Sequence, residues 1–258
     1  MTLESNLERL KDREYQDLYH CEWDEDKTGI RIGETSITTL IAATGVGKST
    51  ITRRIFEIAA EHGIEVCEPG IDTTRPARTD DAANYRTDVS HEEMIERIEN
   101  REYLNWSIVP SGHIYATPPE SITAKHNFLP CLPDSLPMLR RVGFGAVHAF
   151  YIVTTAAAWN DQIEDRKGLK DFPYRLEEAM TSLEFAMSNG SLQKIVSQPG
   201  EEELTKTAKK ILNFGMKSKQ FNYNTFNENF FQTESFLKHS QDMYNLAFVL
   251  SSKHDKPA

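Results

Sequence analysis

The chain has 258 residues, 39% hydrophobic and 10% aromatic, with a formal net charge of −10 and a pI near 5.3. This composition suits a single globular unit of α/β size with extensions, and the acidic balance argues against a nucleic-acid partner held by phosphate neutralisation. It also argues against a membrane protein: no window approaches the roughly 20 consecutive apolar residues that cross a bilayer, and the charged start MTLESNLERLKDREYQ is neither a signal nor a transit peptide. Cys21, Cys67 and Cys131 are odd in number and widely spaced, as reduced thiols of a cytoplasmic protein are.

Residues 1–35 are polar, with a helical stretch near Leu3–Tyr19 followed by the acidic loop CEWDEDKTG, and read as a packing extension. From Ser36 the pattern changes. SITTLIAA is β-branched and apolar, as a buried strand is, and GVGKSTITRRIFEIAAEHG follows as a helix with Ile51, Ile55, Ile58 and Ala59 on one face. IEVCEP reads as a second strand. Residues 72–117 do not alternate in this way and read as an insert, within which SHEEMIERIENR is a helix opened by a capping box of Ser90 and Glu93. Alternation resumes with strands at NFLPCL and AFYIV and a helix at Ala157–Arg166. A long helix at Pro173–Ser188 carries Leu176, Ala179, Met180, Leu183 and Met187 on one stripe. The strand KIVSQ and the helix GEEELTKTAKKIL close the run. The Asn- and Phe-rich segment after Phe214 leads to an amphipathic helix at Thr233–Ser251 with a packing stripe of Phe236, Leu237, Met243, Tyr244 and Ala247. Alternating strands and helices imply a parallel sheet, here of about five strands, covered on both faces.

The segment AATGVGKST sits between the first strand and its helix, where a phosphate loop belongs. Ala42 stands where the usual spacing begins with glycine. Gly45 and Gly47 allow close backbone approach, so that the N–H groups of Thr44, Gly45, Val46, Gly47, Lys48, Ser49 and Thr50 can cradle phosphates. Lys48 is placed to reach the β- and γ-phosphates of ATP, and Ser49 to put its hydroxyl on Mg²⁺. A second basic loop, IDTTRPARTDDAANY, follows. Pro76 stiffens the spacing between Arg75 and Arg78, whose guanidinium groups suit a terminal phosphate, with Tyr85, Tyr115 and Thr117 as nearby hydroxyls. The alternative is that Arg75 and Arg78 pair with Asp80, Asp81 and Asp88 in a solvated loop.

The order of these motifs resembles the guanylate kinase family: GVGKST, then TTRPAR, then a tyrosine, then EYLNW, then YATP, over roughly residues 36–213. The resemblance implies a three-layer P-loop kinase fold with a parallel sheet. Its parts are an N-terminal extension at 1–35, a kinase-like domain at 36–213 and a C-terminal helical extension at 214–258. Within the domain, an inserted subdomain at 72–117 binds the nucleoside monophosphate, and 159–175 forms a short lid whose closure precedes turnover. The implied reaction is ATP + GMP = ADP + GDP, or the same transfer to dGMP, with Mg²⁺ held by Ser49. Arg75, Arg78, Tyr85 and Tyr115 would hold the acceptor phosphate. Lys48 and the lid arginines Arg166 and Arg175 would act on the phosphates in transfer, although each lid arginine also has a surface carboxylate, Asp165 or Glu178, to pair with. The oligomeric state is left open.

The chain departs from the family pattern at several positions. Asn105 stands where the family places the glutamate that reads guanine. An asparagine offers one acceptor and one donor, so it accepts from one guanine N–H while its amide faces the other, a mismatch worth about 1–3 kcal/mol. Asp134 in LPCLPDS lies near a second base-reading aspartate. Ala116 replaces a glycine, and Ile71 replaces a phosphate-binding serine, leaving Asp72 or Thr73 to compensate. Two further readings stay open: a kinase for a different or modified nucleotide, free or within DNA, and a non-catalytic guanylate-kinase-like binding module, against which the intact Lys48 and Ser49 argue.

Overall fold

A computed structural model describes residues 2–78, 83–164, 166–216 and 233–253. Two short helices open it, α1 (Leu3–Lys11) and α2 (Arg13–Leu18), where the sequence reads as one. Asp12 makes the break: its backbone is extended, and its carboxylate accepts from the Tyr15 N–H at 3.0 Å, capping the second helix. A single turn, α3 (Glu25–Thr28), crosses the acidic loop. β1 (Ser36–Ala42) is buried along its whole length, and α4 (Lys48–Glu61) buries the expected Ile51, Ile55, Ile58 and Ala59.

The insert then builds a sheet of its own. Its strands are β2 (Ile71–Thr73), β3 (Tyr85–Arg86), β4 (Asn105–Ile108) and β5 (Ile114–Thr117), with α5 (His91–Glu99) between β3 and β4. The order is β3-β2-β5-β4, with β2 parallel to β3 and antiparallel to β5. At the start of α5 the Ser90 hydroxyl accepts from the Glu93 N–H at 3.0 Å, as half of the expected capping box. The Glu93 carboxylate accepts instead from Arg86 at 2.9 Å.

The rest of the chain supplies β6 (His126–Pro130), α6 (Ser135–Arg141), β7 (Ala146–Val153), α7 (Ala156–Glu164), α8 (Phe172–Ser188), β8 (Gln193–Val196), α9 (Glu201–Gly215) and α10 (Thr233–Ser251). Among the described residues the main sheet is parallel with four strands, in the order β6-β1-β7-β8. The fifth expected strand, IEVCEP, contributes a single bridge of Cys67 to Asn127. Glu68 and Pro69 end the pairing there, and a proline has no N–H to extend a ladder. The stripes on the two long helices are shifted from those expected. On α8, Phe172, Leu176, Ala179, Leu183 and Ala186 are buried and Met180 and Met187 only partly so. On α10, Phe236, Ser240, Met243 and Ala247 are buried, while Leu237 is exposed and Tyr244 spends its hydroxyl on Glu184 at 2.8 Å.

The chain packs as two units. One takes the N-terminal segment up to Ile37 with Val66–Leu129 and Asp134–Val147. The other takes Thr38–Glu65, Pro130–Pro133 and the chain from His148. The first unit has its own core around Trp106, Met94, Ile95, Ile98, Tyr103, Ile114 and Ala116, and Leu10 and Tyr19 of the N-terminal segment belong to it. Tyr19 stands edge-on to Trp106 and donates its hydroxyl to the Tyr103 carbonyl at 2.7 Å. The second unit packs α10 on α8 and α4 on α9, with Arg54 donating to Thr205 at 3.1 Å.

Candidate functional site

The phosphate loop joins β1 to α4 in the second unit. Gly45 (φ +79) and Gly47 (φ +92) both lie in the left-handed region that favours glycine. Gly45 is doubly constrained, because a Cβ there would lie 2.5 Å from Cγ2 of Ile163. Trp159, on the same helix as Ile163, clamps the loop by donating its indole N–H to the Thr44 carbonyl at 2.8 Å. The loop is thus held open as a rigid turn before the first N–H groups of α4, which have no partners within their own helix. We expect Gly45→Ala to cost about 1–3 kcal/mol of stability and to weaken ATP binding, read by thermal unfolding and titration calorimetry.

Lys48 opens α4, and its ammonium donates to the Cys131 carbonyl at 3.4 Å; Ser49 and Thr50 are exposed beside it. Arg175 donates to the Thr44 hydroxyl at 3.5 Å and forms an ion pair at 2.7 Å with Asp171, a different carboxylate from the Glu178 considered as an alternative partner. Arg166 is half-buried just past the end of α7, and its partner considered above, Asp165, lies outside the described residues.

The other predicted residues lie in the first unit, and strand register explains their arrangement. In the antiparallel β4–β5 pair, Asn105 faces Thr117, Trp106 faces Ala116 and Ser107 faces Tyr115. Residues directly opposite share a face, and alternate residues share it along a strand. One face therefore carries Asn105, Ser107, Tyr115 and Thr117, and the other turns Trp106 and Ala116 into the core. Thr73 joins the first face opposite Tyr115, and Asp72 the second opposite Ala116.

This corrects the expectation that Asp72 compensates for Ile71 at a phosphate. Asp72 points to the other side of the sheet, where its carboxylate accepts from Arg86 at 3.1 and 2.8 Å, from Arg97 at 2.8 Å and from the Tyr103 hydroxyl at 2.8 Å. An ionised carboxylate has no hydrogen to donate to a phosphate. Thr73 is fully buried, and its hydroxyl accepts from the Arg75 N–H at 3.2 Å.

Arg75 is only 4% exposed. Its Nε donates to the Tyr115 hydroxyl at 3.1 Å, its Nη1 donates to the Pro76 carbonyl at 2.7 Å, and the guanidinium lies 5.9 Å from the centre of the Tyr85 ring. The Asp88 backbone, at φ +58, donates its N–H to the Arg75 carbonyl at 3.1 Å and so fixes the loop from behind. Arg78 is exposed at the loop tip; Asp80 and Asp81 lie outside the described residues. Arg75, Tyr85 and Tyr115 are thus one cluster.

Asn105, 4% exposed, donates its amide to Ser135 at 2.9 Å. Ser135 and Ser107 hydroxyls are 2.9 Å apart, and Ser107 donates to Asp134 at 2.6 Å. The structure therefore joins Asn105 and Asp134 through two serines that sequence reading missed. The alternation of Asn105-Trp106-Ser107-Ile108 was the available signal for Ser107. Nothing in the sequence pointed to Ser135.

A parallel sheet whose first strand runs through a glycine loop into a helix beginning Lys-Ser defines a P-loop kinase fold. The guanylate kinase family model matches residues 34–213, and the chain belongs to that family. A crystal structure of guanylate kinase from Anaplasma phagocytophilum is similar at 18% identity and a TM-score of 0.49, over 71% of this chain and 87% of that one. No curated protein matches the sequence. No helix among the described residues is long and apolar enough to cross a membrane.

Proposed function

We propose that the protein is an ATP-dependent nucleoside monophosphate kinase that transfers the γ-phosphate of ATP to GMP or dGMP. The observation that carries this reading is the pairing of an intact Lys48 phosphate loop with a second, separate anion cluster of Arg75, Tyr85 and Tyr115. A chain with one anion site could hold ATP alone; two suit a donor and an acceptor.

Phosphoryl transfer asks little covalent chemistry of a protein. It asks for in-line alignment and for positive charge where negative charge spreads. In this reading the loop N–H groups and Lys48 hold the donor phosphates. Arg75 and Arg78 orient the acceptor phosphate, Arg75 from a buried and pre-ordered position, Arg78 from the exposed tip. Arg175, already beside Thr44, and Arg166 supply charge from the lid. No general base is assigned. For Mg²⁺ the donor set is small: no cluster of three or more His, Cys, Asp or Glu able to hold a metal occurs among the described residues. The exposed Ser49 hydroxyl fits a cation that takes one or two protein oxygens and completes its shell with phosphates and water. Bound there, Mg²⁺ would spread the charge on the donor phosphates.

The test is ADP release with ATP, Mg²⁺ and each ribo- and deoxyribonucleoside monophosphate in turn; no turnover of any of them would overturn the reading. Arg78→Ala separates the two sites. It should raise the acceptor KM by about ten- to a hundredfold and leave the Kd for ATP within about twofold, since in this reading Arg78 acts on the acceptor phosphate alone. Equal loss of both would contradict the assignment.

A further inference from the structure

We infer that Asp134, acting through Ser107 and Ser135, locks the Asn105 side-chain amide in one orientation, so that its buried oxygen selects an acceptor base bearing an amino group on its pairing edge. This rests on reading the first unit as the acceptor site, and it makes Asp134 a positioning residue rather than a direct reader of the base.

Proton order fixes the direction of the amide. A carboxylate only accepts, so the 2.6 Å bond requires Ser107 to donate to Asp134. A serine hydroxyl has one hydrogen. With that hydrogen spent, Ser107 can only accept from Ser135 across their 2.9 Å contact. Ser135 in turn has no hydrogen left for Asn105, so it must accept from Asn105, which turns the amide NH₂ toward Ser135 at 2.9 Å. The chain runs from Asn105 through Ser135 and Ser107 to Asp134, and the negative charge at its end sets its direction.

Two further observations fit this order. Asp134 sits at the N-cap position of α6 without a side-chain capping hydrogen bond. The other end of the amide, Asn105 Oδ1, is buried and has no hydrogen-bond partner. A buried, unpaired carbonyl oxygen on a 4%-exposed side chain is costly unless something supplies the hydrogen. The relay commits the hydrogens of Ser107 and Ser135 elsewhere, and in this inference the ligand supplies the one that is missing. An amino group on the base satisfies the oxygen. A keto oxygen at the same place sets lone pair against lone pair, and a bare C–H leaves the cost unrelieved.

This also revises the mismatch expected for Asn105. The amide NH₂ is drawn to Ser135 and does not oppose a second donor of guanine, so a base with two neighbouring donors is not rejected on that account.

The experiment is titration calorimetry of nucleoside monophosphates that differ at one edge position: CMP against UMP, AMP against IMP, and GMP against IMP. ADP release is measured on the same samples. For the ring that fits, the amino-bearing member should bind about tenfold or more tightly than its partner. Asp134→Asn is near-isosteric but can donate to Ser107, which lets the whole chain reverse and turn the Asn105 NH₂ outward. It should bring the ratio to near one or invert it. Ser135→Ala and Ser107→Ala should also collapse the ratio, whereas Ser135→Thr, which keeps the hydroxyl, should preserve it. A merely structural role would weaken both members of a pair together and leave the ratio alone. An unchanged ratio in folded Asp134→Asn and Ser107→Ala overturns the inference, as does a wild-type preference for the keto member. Selective binding without ADP release would overturn the kinase reading and leave this one standing, and no binding of any monophosphate would overturn both.

Discussion

Lys48→Ala is expected to lower the rate of ADP formation, at saturating ATP and acceptor, by about a thousandfold or more, while barely moving the unfolding temperature. The two halves of this expectation come from different features. Lys48 is the first residue of α4, following a left-handed Gly47, so its ammonium is carried at the one end of the helix where N–H groups and dipole already favour anions. A charge held there acts on negative charge that builds in the transition state, and its loss falls on kcat rather than on folding. Within the protein the ammonium donates to the Cys131 carbonyl at 3.4 Å, the long end of hydrogen-bond range, so truncation gives up little. Single-turnover ADP release and a thermal melt decide the matter together. Retention of more than about a tenth of the wild-type rate would remove Lys48 from the catalytic apparatus. A collapse of the fold would mean that the lysine was structural.

What was legible in the sequence follows a physical pattern. Long periodic elements declared themselves: α4 buries the four residues expected of it, and α10 covers the expected span Thr233–Ser251. The phosphate loop was legible because its chemistry is local, with seven consecutive residues between a strand and a helix. The second sheet was not, because its strands have two to four residues, too few for an alternation to stand out from a loop. The buried stripe of α8 was misjudged because small residues, Ala186 and Ser182, take places that the two methionines were expected to fill. In the candidate site, Asn105 and Asp134 could each be named from their positions in motifs. Their connection could not, since it depends on Ser107 and Ser135 arriving from a strand and a helix nearly thirty residues apart.

The largest loss of stability is expected from Asp72→Ala. Asp72 is 5% exposed and accepts four hydrogen bonds: two from Arg86, one from Arg97 and one from Tyr103. It ties together β2, β3, α5 and Tyr103, two residues before β4, around the sheet that carries Tyr85 and Tyr115. Removing a buried carboxylate leaves its partners with unmet hydrogen bonds and uncompensated charge, at a cost of about 3–5 kcal/mol when those partners are themselves buried. Here they differ. Arg86 is half exposed and keeps Glu93, Arg97 is 21% exposed and keeps Glu102 at 3.1 Å, and the Tyr103 hydroxyl is buried. Burial, and then the bond to Asp72, push the Tyr103 phenol above its ordinary pKa, so it remains a donor and cannot adapt by ionising. We therefore place Asp72→Ala near the lower bound, about 3 kcal/mol. Arg86→Ala should cost about 1 kcal/mol or less, because Asp72 keeps two other donors and Arg86 is itself half exposed. Urea denaturation of the two variants measures the difference directly. If Arg86→Ala proved as damaging as Asp72→Ala, the ion pair with Arg86 would be the stabilising element, and the buried carboxylate with its Arg97 and Tyr103 donors would not be.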